Sequence, residues 1–216
     1  YILDGLLKVK HSKPMLSAAK TKDANVIKKF VSNNSFYGSY KLDGLTLVVK
    51  YQNGEFIQAI TRGTGEIGED VTEQAKMIIN LPMKIPHNQY LELRGECVIS
   101  WDNFYKINTD LNDKYTHPRN LAGGSLRNLD TNITRTRNLE FVVFECIADL
   151  NTNSKWNTLE YLKDIGFTVV NHSRGTIDKI TESMQPELYK YPVDGLIFEL
   201  DDIKYSKSLS ATEHHE

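Results

Sequence analysis

The stretch YGSYKLDGLTLVVKYQNGEFIQAITRG, which begins at Tyr37, narrows the possible folds of this chain more than any other. Its apolar residues alternate on both sides of Asn53-Gly54, a dipeptide that takes positive φ at little cost and closes a tight hairpin. Two strands paired in this way bury one face, so the chain is committed to an antiparallel sheet. The same stretch places Lys41-Leu42-Asp43-Gly44 at the end of its first strand, with one amine beside one carboxylate. Most lysines are solvated ends on long stems, so the tetrapeptide alone assigns no role.

Period-two patterning recurs in QYLELRGECVIS, with Leu91, Leu93 and Gly95 on one face and Glu92, Arg94 and Glu96 on the other. The second face is charged and reads as functional. LEFVVFECIA and VDGLIFEL read as buried strands. Between the strands, Asp23 caps a helix DANVIKKFVSNN whose inner stripe is Val26, Ile27, Phe30 and Val31. The spacing predicts a further helix from about Glu69 to Asn80, with Val71, Ala75, Ile78 and Ile79 inward. Ser100 caps WDNFYKINTDL, Pro118 opens PRNLAGGSLRNL, and TLEYLKDIGF ends at Gly166. Antiparallel hairpins interspersed with helices define an α+β domain, and 216 residues suit a single core.

A net charge of −2 argues against a protein held to nucleic acid by overall charge and leaves room for a local basic face. No apolar run approaches the roughly 18 residues of a membrane span. Cys97 and Cys146 lie in strand-like surroundings without CxxC or Cys/His spacing, as expected of buried thiols in a reducing, cytoplasmic compartment. The chain opens with Tyr1, so the expected native start lies upstream, and His214 and His215 read as a frayed end.

Six strings then fall in one order: HSKPMLS, YKLDG, TRGTGEIGEDVT, LELRGE, PRNLAGGSLRNLD and VDGLIF. In this order the chain, from about His11 to Leu200, resembles the adenylation (nucleotidyltransferase) domain of NAD-dependent DNA ligases. The resemblance implies two antiparallel sheets around a nucleotide cleft, with helices outside. It also implies a single adenylation domain spanning residues 1–216 as a fragment of a longer ligase. Lys41 is then the nucleophile that takes AMP from NAD and releases nicotinamide mononucleotide. A free lysine, with pKa near 10.4, is neutral in only about one molecule in two thousand at pH 7, so the site must favour the neutral amine. Asp43 and Asp194 resemble the catalytic carboxylates that orient the lysine and hold hydrated Mg2+. Glu96 matches the acid that binds the ribose, and Arg62 the nucleotide-site arginine. Ser17 and Leu42 match adenine-side contacts. Phe144 falls where an aromatic stacks on adenine, and would look no different as a core residue. Gly63, Gly65 and Gly68 allow close approach to phosphate or to backbone. Arg119 and Arg127 resemble residues used on nicked duplex DNA, about 80° apart on one helix, with Arg135 and Arg137 extending the patch.

Four departures accompany the match. YILDGLLKVK carries no nicotinamide-binding segment, and a closing lysine motif and an oligonucleotide-binding region are absent. Glu199 stands where a lysine faces the adenylate, which calls for Lys204 or Lys207 to supply the cation. Ser39 replaces a glutamate that touches adenine. These leave NAD or ATP as donor, and they leave open a non-catalytic nucleotide- or nick-binding module, or an adenylating subunit completed by a partner or a missing C-terminal region. In every case the chain is expected to be monomeric.

Overall fold

Antiparallel pairing organises the chain in the computed structural model, which describes residues 5–212. The expected frayed histidines 214 and 215, and residues 1–4, lie outside the described residues. The elements run β1 (Lys8–Lys10), α1 (Ala24–Val31), β2 (Phe36–Leu42), β3 (Leu45–Gln52), β4 (Glu55–Thr61), β5 (Ile67–Glu69), α2 (Thr72–Ala75), β6 (Leu91–Val98), α3 (Trp101–Asp110), α4 (Pro118–Leu126), α5 (Thr131–Arg135), β7 (Glu140–Cys146), α6 (Lys155–Asp164), β8 (His172–Ser173), α7 (Ile177–Ser183), a 3-10 turn (Pro186–Leu188), β9 (Val193–Leu200) and α8 (Ile203–Thr212).

The hairpin forms as its sequence requires, with Asn53 at φ 52° and Gly54 at φ 76°. It founds a four-stranded sheet of order β4-β3-β6-β7. One face of that sheet contributes Leu47, Val49, Leu91, Leu93, Phe141 and Val143 to the largest core, where α4 adds Leu121, Ala122 and Leu126. Val98 and Val142 on the other face meet Tyr37, Tyr40 and Leu42 of the second sheet, whose order is β8-β2-β9. A short strap fastens the two sheets together. The Val143 N–H donates to Thr168 O at 2.9 Å, the Val170 N–H to Val143 O at 2.8 Å, and the Tyr40 N–H to Asn171 O at 3.4 Å. The two sheets are therefore braced against each other by main-chain hydrogen bonds.

Local signals placed most helix starts. Asp23 and Ser100 accept from the N–H groups of Asn25 and Asn103, Pro118 occupies the first turn of α4, and Gly166 at φ 112° follows the end of α6. The helix expected from Glu69 to Asn80 is not one element. Glu69 pairs with Lys8 in β5, and helix is confined to Thr72–Ala75. The chain then straightens because Ile79 N–H donates to Leu139 O at 2.9 Å and the Asn80 amide reaches Phe141 O at 3.0 Å. Tertiary partners for these groups outcompete the helical ones, and Ile79 ends exposed while Ile78 is buried. Similarly, Val26 and Phe30 of α1 face out, leaving Ile27 and Val31 as its inner stripe. PRNLAGGSLRNL stops at Leu126, with Arg127 as its cap.

Cys97 and Cys146 are free thiols, the first fully buried. Among the described residues no helix is long and apolar enough to cross a membrane.

Leu93 lies at the centre of the larger core with no exposed surface. Leu93→Ala should lower the unfolding free energy by about 2–5 kcal/mol, measured by urea denaturation.

Candidate functional site

Two irregularities in strand pairing shape the cleft. In the β2–β9 ladder Lys41 pairs with Gly195 and Leu42 with Val193, leaving Asp194 as an extra residue. A regular ladder would point Asp194 to the face opposite Lys41; a bulge bends the strand and re-aims that side chain. Gly195, at φ 143°, supplies the backbone conformation the bend needs. As a result Lys41 Nζ donates to Asp194 Oδ2 at 2.5 Å, with both side chains partly solvated. The second bulge lies in β6–β7, where Arg94 pairs with Glu145 and Gly95 with Val143, so Phe144 is unpaired. It packs in the apolar cluster between the sheets, together with Tyr37 and Trp156.

The turn after Lys41 is pressed onto β6. A Cβ at Gly44 would lie 2.2 Å from Cys97 O, so a side chain there would force the turn off the strand. With glycine in place, the Gly44 N–H donates to Glu96 Oε1 at 3.1 Å and the Thr46 hydroxyl to Oε2 at 2.9 Å. Burial pushes the Glu96 carboxyl up to about 7, against the opposing pull of these two hydrogen bonds. Asp43 is anchored through its N–H to Pro192 O at 2.8 Å, and its carboxylate faces Arg119 Nη1 at 3.3 Å. Lys41, Asp43, Glu96 and Asp194 thus converge on one turn from three strands and a loop.

His117 belongs to this cluster and was not anticipated from the sequence. Its Nδ1 accepts from the Arg119 N–H at 3.1 Å as the cap of α4, and its Nε2 lies 3.8 Å from Asp43. The signal available was its place directly before Pro118, where a cap is expected.

The face of β6 expected to be wholly functional is divided. Glu92 accepts from Ser12 at 2.6 Å, and Arg94 donates to Lys13 O at 3.2 Å and Pro14 O at 3.1 Å. These two residues hold the incoming segment, and Glu96 alone reaches the lysine turn. The segment delivers Ser17, whose Oγ accepts from Arg62 at 3.1 Å. Close main-chain packing explains two of the glycines. A Cβ on Gly68 would fall 1.9 Å from Thr61 O, and one on Gly65 2.9 Å from Met15 O, so both permit backbone to lie on backbone. Leu42 points its side chain into the core beneath the lysine. Arg119 and Arg127 flank α4 but have different partners, Asp43 for the first and Glu69 at 3.9 Å for the second. Glu199 is not compensated by Lys204 or Lys207. Lys155 from α6 donates to it at 3.0 Å and the Tyr37 hydroxyl at 3.0 Å.

Among the described residues no group of three or more His, Cys, Asp or Glu forms a metal cluster. Asp43 and Asp194 still suit a hard, largely hydrated ion, which takes one or two carboxylates and completes its shell with water and phosphate oxygens.

Two antiparallel sheets packed on one another, with helices around them and a lysine at the end of one strand, are the architecture of the nucleotidyltransferase domain of DNA ligases. A solved mycobacterial DNA ligase D, complexed with ATP and MES, shares that fold at a TM-score of 0.50 and 15% identity, over 88% of this chain and 54% of that one. The model of the NAD-dependent DNA ligase adenylation domain matches residues 4–216, and the chain belongs to that family. The DNA ligase of Ruminiclostridium cellulolyticum is 40% identical over 222 residues and that of Lachnoclostridium phytofermentans 39% over 225, each match covering 98% of this chain and 34% of the relative. The chain therefore spans about a third of the length of the curated relatives it matches.

The Lys41 ammonium, by hydrogen bond and charge, holds the Asp194 carboxyl below the usual carboxylate range. A depressed carboxyl pKa stabilises the fold above the ordinary carboxylate pKa, and that contribution is lost as pH falls through the folded value. The pair is partly exposed, so the effect on stability is small. Carboxyl carbon NMR should place the Glu96 midpoint near 7, and in Lys41→Ala the Asp194 midpoint should rise.

Proposed function

We propose that this chain performs the adenylation step of a DNA ligase, with NAD as donor and Lys41 as nucleophile. The observation that carries the reading is the bulge that sets the Lys41 amine 2.5 Å from Asp194 at the mouth of the cleft. In the resting protein the amine donates to that carboxylate, which is also in place to accept its proton as attack begins. Nitrogen then forms a bond to the α-phosphorus of the donor, the P–O bond to nicotinamide mononucleotide breaks, and AMP stays on Lys41 through a P–N bond. Asp43 and Asp194 would hold hydrated Mg2+, which supplies positive charge to the phosphate oxygens when bound.

The remaining roles follow position in the cleft. Glu96, ionised above pH 7, accepts from the ribose, Phe144 stacks on the adenine, and Ser17 with Arg62 closes the nucleotide edge, beside the main chain of Leu42. Arg119 and Arg127 sit on the exposed flank of α4, where they would meet the phosphates of nicked duplex DNA whose 5′-phosphate receives the AMP. Because the chain corresponds to about a third of its relatives, sealing the nick calls on regions equivalent to the remainder of those proteins.

Intact mass after incubation with NAD and Mg2+ should show the gain of one adenylate, absent in Lys41→Ala. An adduct that survives in the alanine variant, or maps to another residue, rejects the assignment. The carboxylate role of Glu96 predicts that adenylation rises with pH through about 7 and that Glu96→Gln flattens this rise. For nicked DNA, replacing both Arg119 and Arg127 with Ala should weaken binding across sequences and reduce the slope of log K against log salt by about 2.

A further inference from the structure

Among the arginines of the described residues, Arg137 alone has no side-chain partner. Arg119, Arg127 and Arg174 face carboxylates, Arg62 and Arg135 donate to side-chain oxygens, and Arg94 meets Glu145 and two carbonyls. The Arg137 guanidinium meets no acceptor among the described residues, and its Nε is out of reach of solvent without a hydrogen bond. A half-buried guanidinium left in this way costs the fold free energy rather than supplying it. Arg137 lines a cavity of about 470 Å³ with Leu111, Asn112, Asp113, Lys114 and Tyr115.

The wall of that cavity is held from behind. Lys114 Nζ donates to Asn108 O at 2.7 Å and to Thr109 O at 2.6 Å, at the C-terminal end of α3. The Asn108 side chain accepts from the Tyr115 N–H at 2.8 Å and donates to Tyr115 O at 2.9 Å, so the loop is set in advance. Asp113 shares the cavity, but it is exposed and forms no ion pair with Arg137, and the two cations leave one positive charge in excess. Tyr115 also fixes where the cavity lies. A Cβ on Gly124 would fall 3.1 Å from its hydroxyl, so the wall rests on α4, the helix flanked by Arg119 and Arg127. A planar guanidinium with both Nη groups unpaired matches two oxygens of a phosphate group through parallel hydrogen bonds. We propose that this cavity is a phosphate site, in which Arg137 grips one phosphate group as a fork and Lys114, with two of its three donors engaged, adds charge from the rim. The phosphate belongs either to duplex DNA running past α4 or to a free phosphate compound. The site is independent of adenylation, since neither Lys41 nor its acids take part.

Two ligands test the site and tell the sources apart. Inorganic phosphate, added at constant ionic strength, should saturably shift the Nε–H resonance of Arg137, assigned by its absence from Arg137→Met. The amide resonances of Asn112 and Tyr115 should follow it in the wild-type chain and stay still in Arg137→Met, which keeps the apolar stem. Should the methionine variant fail to fold, Arg137→Lys keeps the charge, and loss of the fork should weaken phosphate binding about tenfold, read from the same amides. On nicked duplex DNA, Arg137→Met should reduce the slope of log K against log salt by about 1, in addition to the effect of Arg119 and Arg127, if DNA supplies the phosphate. An unchanged slope beside a saturable phosphate shift assigns the site to a free phosphate compound. No saturable shift with phosphate together with an unchanged slope on DNA would overturn the proposal, as would amide shifts at Asn112 and Tyr115 that survive in Arg137→Met.

Discussion

The chemistry available to this chain depends on one extra residue in one strand. Without the bulge at Asp194, the β2–β9 ladder would turn that carboxylate away from Lys41 and leave a lone solvated amine at a strand end. Main-chain geometry, not side-chain reach, brings the two charges together. Gly195 supplies the positive φ, and Gly44 lets the following turn press against β6 until its N–H meets Glu96. Two glycines thus allow three acidic residues to gather at the turn that follows Lys41, each held at a different degree of burial.

That difference in burial separates the acids in their ionisation. Asp194 is open to solvent and carries its charge against Lys41, whereas Glu96 is enclosed and its ionisation is pushed toward neutrality. Asp43 stands between them, partly covered and faced by Arg119 and His117. Carboxyl groups in unlike surroundings divide the tasks of a site without any change of chemical type. The rest of the cleft follows the same economy. The polar residues of β6 serve first to fasten the segment from Ser12 to Pro14, and that fastening sets Ser17 against Arg62.

Much of this was legible before any coordinates. Alternation predicted strand on both sides of Asn53-Gly54 and in β6, and that dipeptide predicted the turn between β3 and β4, because a tight hairpin depends on its own residues alone. The caps at Asp23 and Ser100 and the stop at Gly166 were readable for the same reason. The helix expected from Glu69 to Asn80 was not, since β1, Leu139 and Phe141, all distant in sequence, capture the backbone at its two ends. In the site, Lys41, Asp43, Glu96 and Asp194 could be named from ordered motifs. The contacts of His117 with Asp43 and of Lys155 with Glu199 could not, because each is made by reaching across from another element.

The sequence by itself determined the α+β class, the hairpin of β3 and β4 within the larger sheet, and the identity of the strand-end lysine with its attendant acids. Those properties come from short-range patterning, which survives reading one residue after another. Only the tertiary structure decided which side of a strand Asp194 and Phe144 would face, how deeply Glu96 would be enclosed, and that the cation beside Glu199 would come from a helix 44 positions away. Bulges, burial and cross-sheet pairing depend on what lies opposite, and a linear chain does not record its neighbours in space.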